Sequence, residues 1–237
     1  MAGVMEERST RLVLFDIDGT ILQSNGAGRR AMLTALREVF GTPGPEDHRY
    51  DGKTDPQIVR EVMRLEGHHD AHIDERMDVL MRRYLERLED ELRQVATLVH
   101  PGIFELLAAL ERRRDTILGL LTGNLREGAL AKLRAAGIEP DRFRVGAFGS
   151  DHENRPELPA IARQRAHDEL GVGLEGEDLV VIGDTPADIE CGRSLGVRAI
   201  GVATGAYSVA ELLECGAYAA FETLADTERV MSAIVDA

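Results

Sequence analysis

Three short polar runs carry the residue types that could do chemistry. Asp16-Ile17-Asp18-Gly19-Thr20 follows the apolar run Leu12 to Phe15, and Thr122-Gly123-Asn124 follows Ile117 to Leu121. Gly183-Asp184-Thr185-Pro186-Ala187-Asp188 follows Leu179 to Ile182. Gathered in one place, these runs would juxtapose carboxylates and threonine hydroxyls. Carboxylates so close would repel one another unless a cation sat among them. An all-oxygen donor set of this kind suits Mg²⁺, which takes one or two carboxylates with water and phosphate oxygens.

The elements needed to bring the runs together are legible around them. Each apolar run is short, rich in Leu, Val and Ile, and reads as a strand buried on both faces. Helical stretches separate them: Ile103 to Arg113, Glu127 to Ala136, Leu158 to Leu170, Ala187 to Leu195 and Val209 to Glu214. Further strands are expected at Arg144 to Phe148, Val197 to Val202 and Ala217 to Phe221, with a last helix to Val235. Strand and helix in alternation predict a parallel sheet with crossover helices, an α/β Rossmann-like architecture. In such sheets ligands bind at the carboxyl ends of the strands, where all three polar runs fall. Between the first strand and residue 97 the spacing is helical throughout. Two helices flank Gly41-Thr42-Pro43-Gly44-Pro45, and a longer one carries Ile73, Met77, Leu80, Tyr84, Leu88, Leu92 and Val95 on one face. That stripe spans only about three heptads, and packing within a helical subdomain accounts for it better than a coiled coil.

The three runs, in this order and at strand ends, resemble the signature motifs of the haloacid dehalogenase superfamily, in particular its phosphoglycolate phosphatase-like members. The likeness spans nearly the whole chain. It implies a Rossmann-like core over 1–20 and 98–237, with an all-helical cap over 21–97. It also implies Mg²⁺-dependent hydrolysis of a small phosphate monoester. Asp16 would be the nucleophile that forms an aspartyl-phosphate, Asp18 the general acid and base, and Thr20 the hydroxyl that orients the first Asp. Thr122 would donate to the phosphoryl oxygens, with the backbone amides of Gly123 and Asn124 beside it. The metal would be held by Asp16, Asp18 through its carbonyl, and Asp184, with Asp188 in support. A second acid at position 18 disfavours dehalogenation. The superfamily's third motif is a cation, usually Lys followed by Pro; here Asn154-Arg155-Pro156 stands in its place, so Arg155 is the expected catalytic cation.

An insertion after the nucleophile strand would close over the site and read the leaving group. Its loop Asp51-Gly52-Lys53-Thr54-Asp55-Pro56 is the one expected to face the centre, and Lys53, one of two lysines, could bind a substrate carboxylate or second phosphate. Arg29 and Arg30 are weaker candidates. His68, His69 and His72 lack ligand spacing and read as a solvated helix end. Two alternatives share these residues: a phosphomutase of the same fold, whose cap shields the phosphoenzyme from water, and a non-catalytic phosphate-binding protein.

Composition narrows the partners. A net charge of -14 argues against a nucleic-acid binder or a polybasic membrane-surface protein, but not against a small phosphorylated metabolite bound beside a metal. Two cysteines, Cys191 and Cys215, cannot make a disulfide framework, and residues 1–10 contain no apolar stretch. A cytoplasmic protein is expected, and the long helix could offer a homodimer interface.

Overall fold

The computed structural model describes residues 10–235. Residues 1–9, read above for a leader, lie outside the described residues, as do 236–237, so the outer ends of the expected 1–20 and 98–237 segments are not described. The chain opens with strand β1 (Arg11–Phe15), a two-residue strand β2 (Leu22–Gln23) and three helices, α1 (Ala27–Phe40), α2 (Asp55–Leu65) and α3 (Asp70–Gln94). After β3 (Leu98–Val99) helices and strands alternate: α4 (Ile103–Glu111), β4 (Thr116–Thr122), α5 (Arg126–Ala135), β5 (Val145–Phe148), α6 (Leu158–Leu170) and β6 (Leu179–Gly183). The series ends with α7 (Pro186–Cys191), β7 (Arg198–Val202), α8 (Val209–Glu214), β8 (Ala219–Phe221) and α9 (Thr227–Val235).

Six strands form one sheet in the order β5-β4-β1-β6-β7-β8, every pair parallel. The chain leaves β1 toward β4 and β5 on one side and returns to β6, β7 and β8 on the other. The carboxyl end of β1 is therefore the switch point at which a crevice opens. Both faces of β1 are covered, as its uninterrupted apolar run requires. Val13 and Phe15 pack with Leu106 and Leu110 of α4 and Ile234 of α9. Leu12 and Leu14 pack with Leu158 and Ala162 of α6.

The helices α1 to α3 build a separate core from Met32, Leu36, Ile58, Val62, Leu80 and Tyr84, all buried. The long stripe of α3 is spent on this intrachain packing. An antiparallel ribbon joins the helices to the sheet, pairing Leu22 with Val99 and Gln23 with Leu98. Helix α2 is set by Thr54, whose hydroxyl accepts from Gln57 N (3.2 Å) and donates to the carbonyl of Glu153 (2.6 Å) across the crevice. One expected helix is shorter than its pattern. The run from Ala187 stops at Cys191 and resumes as a single tight turn, Arg193–Leu195. Gly192 lies so close to Val197 that a Cβ there would sit 2.3 Å from the Val197 Cβ. Among the described residues no helix is long and apolar enough to cross a membrane.

Candidate active site

The three polar runs converge at the carboxyl ends of β1, β4 and β6. The amide of Asp16 donates to the carbonyl of Ile182 (2.9 Å), which fixes the end of β1 against β6. The chain then turns tightly, with the amides of Ile21 and Leu22 both reaching back to the Ile17 carbonyl. Gly19 permits the turn with φ of +84°, a region costly for a side chain.

Asp16, Asp184 and Asp188 are all buried and each offers an oxygen within 4.8 Å of the others. The guanidinium of Arg155, also buried, lies 3.2 Å from Asp16 Oδ1 and bonds Asp188 Oδ1. Asp188 accepts at its other oxygen from the amide (3.0 Å) and hydroxyl (2.6 Å) of Thr185, closing a reciprocal N-cap on α7. With both oxygens engaged, Asp188 anchors the arginine rather than facing the crevice. Asp184 instead occupies a slot between two glycines. A Cβ at Gly19 would come within 2.3 Å of Asp184 Oδ2, and one at Gly205 within 1.8 Å. Burial raises the pKa of Asp16 and of Asp184, and each is raised further by Asp188; Arg155 opposes both effects. A pair of buried acids held near one another, with oxygen donors only, is the arrangement a hard divalent cation fits.

Thr20 is placed differently from the expectation. Its hydroxyl donates to Asp184 Oδ1 (3.2 Å), not to Asp16, and the residue is fully buried. The turn at Gly19 carries it toward β6, so it supports the second acid and does not line the cavity.

On the other side of Asp16, at the end of β4, Asn124 ties three groups together. Its Nδ2 donates to Thr122 Oγ1 (2.7 Å) and to Asp18 Oδ2 (2.9 Å), and its Oδ1 accepts from Lys132 Nζ (2.6 Å). Lys132 also donates to Asp18 Oδ2 (2.5 Å) and is only 3% exposed. Sequence reasoning passed over this lysine. The available signal was its position on α5, three residues after Ala129 and one before Leu133, on the face the helix buries.

These groups border a cavity of about 540 Å³, closed on the far side by residues of α1 and of the loop before α2. Asp16, Asp18, Thr122, Arg155 and Asp184 line it, and so does Lys53. The loop touches the strand ends through backbone: a Cβ at Gly123 would meet the Lys53 carbonyl at 2.1 Å, and the Gly123 carbonyl accepts from Asp55 N (2.8 Å). The ammonium of Lys53 pairs with Glu61 (2.5 Å) and contacts His48 Nε2 (3.2 Å). Arg29 lies over the Tyr50 ring at 4.5 Å and bonds the carbonyls of Glu46 and His48, whereas Arg30 pairs with Glu91 away from the cavity. His68 and His72 stack on each other (5.1 Å, 7°) and against Phe40. Among the described residues the one acidic or histidine group with metal-ligand spacing is Asp16, Asp184 and Asp188.

Comparison with known proteins identifies the family and the fold. A family model described as haloacid dehalogenase-like hydrolase matches residues 13–193. The chain is 28% identical over 212 residues to "Probable phosphatase IndB" of Dickeya dadantii, covering 85% of this chain and 84% of that one. It is 27% identical over 200 residues to a phosphoglycolate phosphatase of Synechococcus elongatus, covering 81% and 84%. Among solved structures, a hydrolase from Pseudomonas syringae superposes with a TM-score of 0.71 at 21% identity, over 95% of this chain and 99% of that one.

Proposed function

The chain belongs to the haloacid dehalogenase-like hydrolase family, and on that premise we propose that this phosphoric monoester hydrolase cleaves a small phosphate monoester through an aspartyl-phosphate on Asp16. The observation that carries the reading is the buried Asp16–Arg155 pair, with Asp184 beside it and Asp18 and Thr122 on the same cavity wall.

Each residue has a role its surroundings suit. An oxygen of Asp16 attacks phosphorus and displaces the substrate alcohol, so one P–O bond forms as another breaks. Asp18 gives a proton to the departing oxygen. It then takes one from the water that attacks the phosphorus of the aspartyl-phosphate and restores Asp16. The Thr122 oxygen already accepts from Asn124, which leaves its own hydrogen to donate to a phosphoryl oxygen. Arg155 balances the nucleophile's charge and offers a fork of N–H donors to the phosphoryl group, with Asp188 fixing its plane. Asp16 and Asp184 would hold Mg²⁺, which when bound neutralises phosphoryl charge and keeps both acids ionised.

The helical segment 21–97 acts as the cap over this centre, and Lys53 at its inner loop lines the cavity with its ammonium paired to Glu61, so that it offers a substrate its remaining N–H donors. The relatives named phosphoglycolate phosphatase make phosphoglycolate the first substrate to try.

The test is phosphate release from phosphoglycolate, sugar phosphates and p-nitrophenyl phosphate, with Mg²⁺, with chelator, and with Asp16→Asn. Mg²⁺-dependent turnover that falls by at least ~10³-fold in the variant is expected of a lost nucleophile. Turnover that survives the substitution would overturn the aspartyl-phosphate assignment.

A further inference from the structure

Lys132 has no part in the reading above, yet it is one of two lysines in the chain and is almost wholly buried. A buried ammonium is costly unless its donors are satisfied. Two of its three donors are met by Asp18 Oδ2 at 2.5 Å and Asn124 Oδ1 at 2.6 Å, with Asn124 itself bonded to the same Asp18 oxygen. Lys132 and Asn124 therefore grip one carboxylate oxygen from two directions. The Asp18 side chain is 42% exposed and borders the cavity, so its other oxygen is the one available to a leaving group.

The helices of the segment above enclose the ammonium. A Cβ on Gly28 of α1 would lie 3.3 Å from Nζ and 3.7 Å from the Tyr84 hydroxyl of α3. Asp55 of α2 bonds the amide of Leu125 (2.8 Å) at the start of the helix that carries Lys132, and Lys132 acts electrostatically on Asp55. All three helices thus contribute a residue around the grip on Asp18.

We propose that Lys132 is a positioning residue for proton transfer: with Asn124 it clamps Oδ2 of Asp18 so that Oδ1 is aimed at the leaving-group oxygen. This rests on the phosphatase reading. It makes a prediction that a general packing role does not. An alkoxide leaves poorly without a proton, whereas p-nitrophenolate leaves without one. Losing the clamp harms the first far more than the second.

The experiment compares kcat/KM of the wild type and Lys132→Met on phosphoglycolate, or on the best alkyl phosphate found, against p-nitrophenyl phosphate. The parameter kcat/KM covers substrate capture through departure of the alcohol. The expected loss is ~100-fold on the alkyl ester, in the range of general acid catalysis, and under ~5-fold on the aryl ester. The ratio of the two is independent of how much variant is folded, so partial misfolding does not blur it. Asp18→Asn and the double variant Asp18→Asn, Lys132→Met complete the cycle. If Lys132 acts through Asp18, the second substitution adds less than ~3-fold to the first on the alkyl ester. Equal losses on both esters, or additive losses in the double variant, overturn the proposal. Failure of the wild type to release phosphate with Mg²⁺, or survival of activity in Asp16→Asn, would instead sink the phosphatase reading itself.

Discussion

Replacing Asp184 by Asn should make the metal-free protein more stable while disabling it. The side chain is 5% exposed and sits with Asp16 and Asp188 within a 4.8 Å circle of oxygens. Arg155 is shared between Asp188 and Asp16, so one cation faces three carboxylates and a net repulsion from both neighbouring acids is left on Asp184. Two unit charges at that separation repel by roughly 3 kcal/mol at an effective dielectric constant of 20. Partial protonation and relaxation reduce this to about 1–2 kcal/mol. Asn keeps the shape of the slot between Gly19 and Gly205 and can still accept from Thr20. For a chain of this length that is a rise of about 2–8 °C in Tm. Thermal unfolding followed by circular dichroism in EDTA would read it. Added Mg²⁺ should raise the wild-type Tm and leave the variant unmoved, because binding stabilises only a state that binds. The same physics fixes a pH trend for the wild type in EDTA. Asp184 has a pKa raised above its unfolded value, so the native state holds more protons and stability falls as pH climbs above the ordinary carboxylate value of 3.8. In the variant that slope should be shallower. A variant that melts below the wild type in EDTA, or an unchanged slope, would refute the claim that the cluster is held against its own repulsion.

Three further outcomes follow from named contacts. Arg155→Met strands Asp188 as a buried charge without its cation, and should cost about 3 kcal/mol, a fall of roughly 6–12 °C by calorimetry; an unchanged Tm would show the pair is not needed for the fold. Gly205→Ala puts a Cβ where Asp184 Oδ2 lies, so the Mg²⁺ concentration for half-maximal activity should rise about tenfold, equivalent to 1.4 kcal/mol of binding; an unaltered Mg²⁺ titration would mean the slot does not orient the ligand. Thr54→Ala removes both the N-cap of α2 and its bond to the Glu153 carbonyl, and about 1–2 kcal/mol of stability should go with it, measured in urea; no shift in the midpoint would discount that contact.

The sheet was legible because its strands are unbroken apolar runs. Leu12 to Phe15 and Leu179 to Ile182 bury every side chain, so no alternation obscures them. Helices bounded by clear start and stop signals kept their limits, as Leu158–Leu170, ended by Gly171, and Val209–Glu214, opened by the Ser208 cap, show. The helix read through Leu195 was cut at Cys191 by a contact with Val197 that local pattern does not encode. Asp16, Asp18, Asp184 and Arg155 could be singled out because they follow strand ends or flank a proline. Lys132 could not, since it lies in mid-helix and reaches the crevice only through the length of its side chain. The partners of Lys53 were equally out of reach: Glu61 is one helix further on, and its pairing with the lysine depends on how the loop before α2 folds back.

The ribbon of β2 and β3 has a consequence for how this chain can vary. It sets Gln23 beside Leu98, although three helices intervene between them. A segment whose ends are already clasped makes no demand on the register of the sheet. Its closure entropy grows only logarithmically, about 0.6 kcal/mol for each doubling of length. A longer, shorter or altogether different insert spliced between the same two residues would leave β1, β4 and β6 in place. Under the proposed function, selectivity would then rest on a stretch of sequence whose length can change without moving the strand ends.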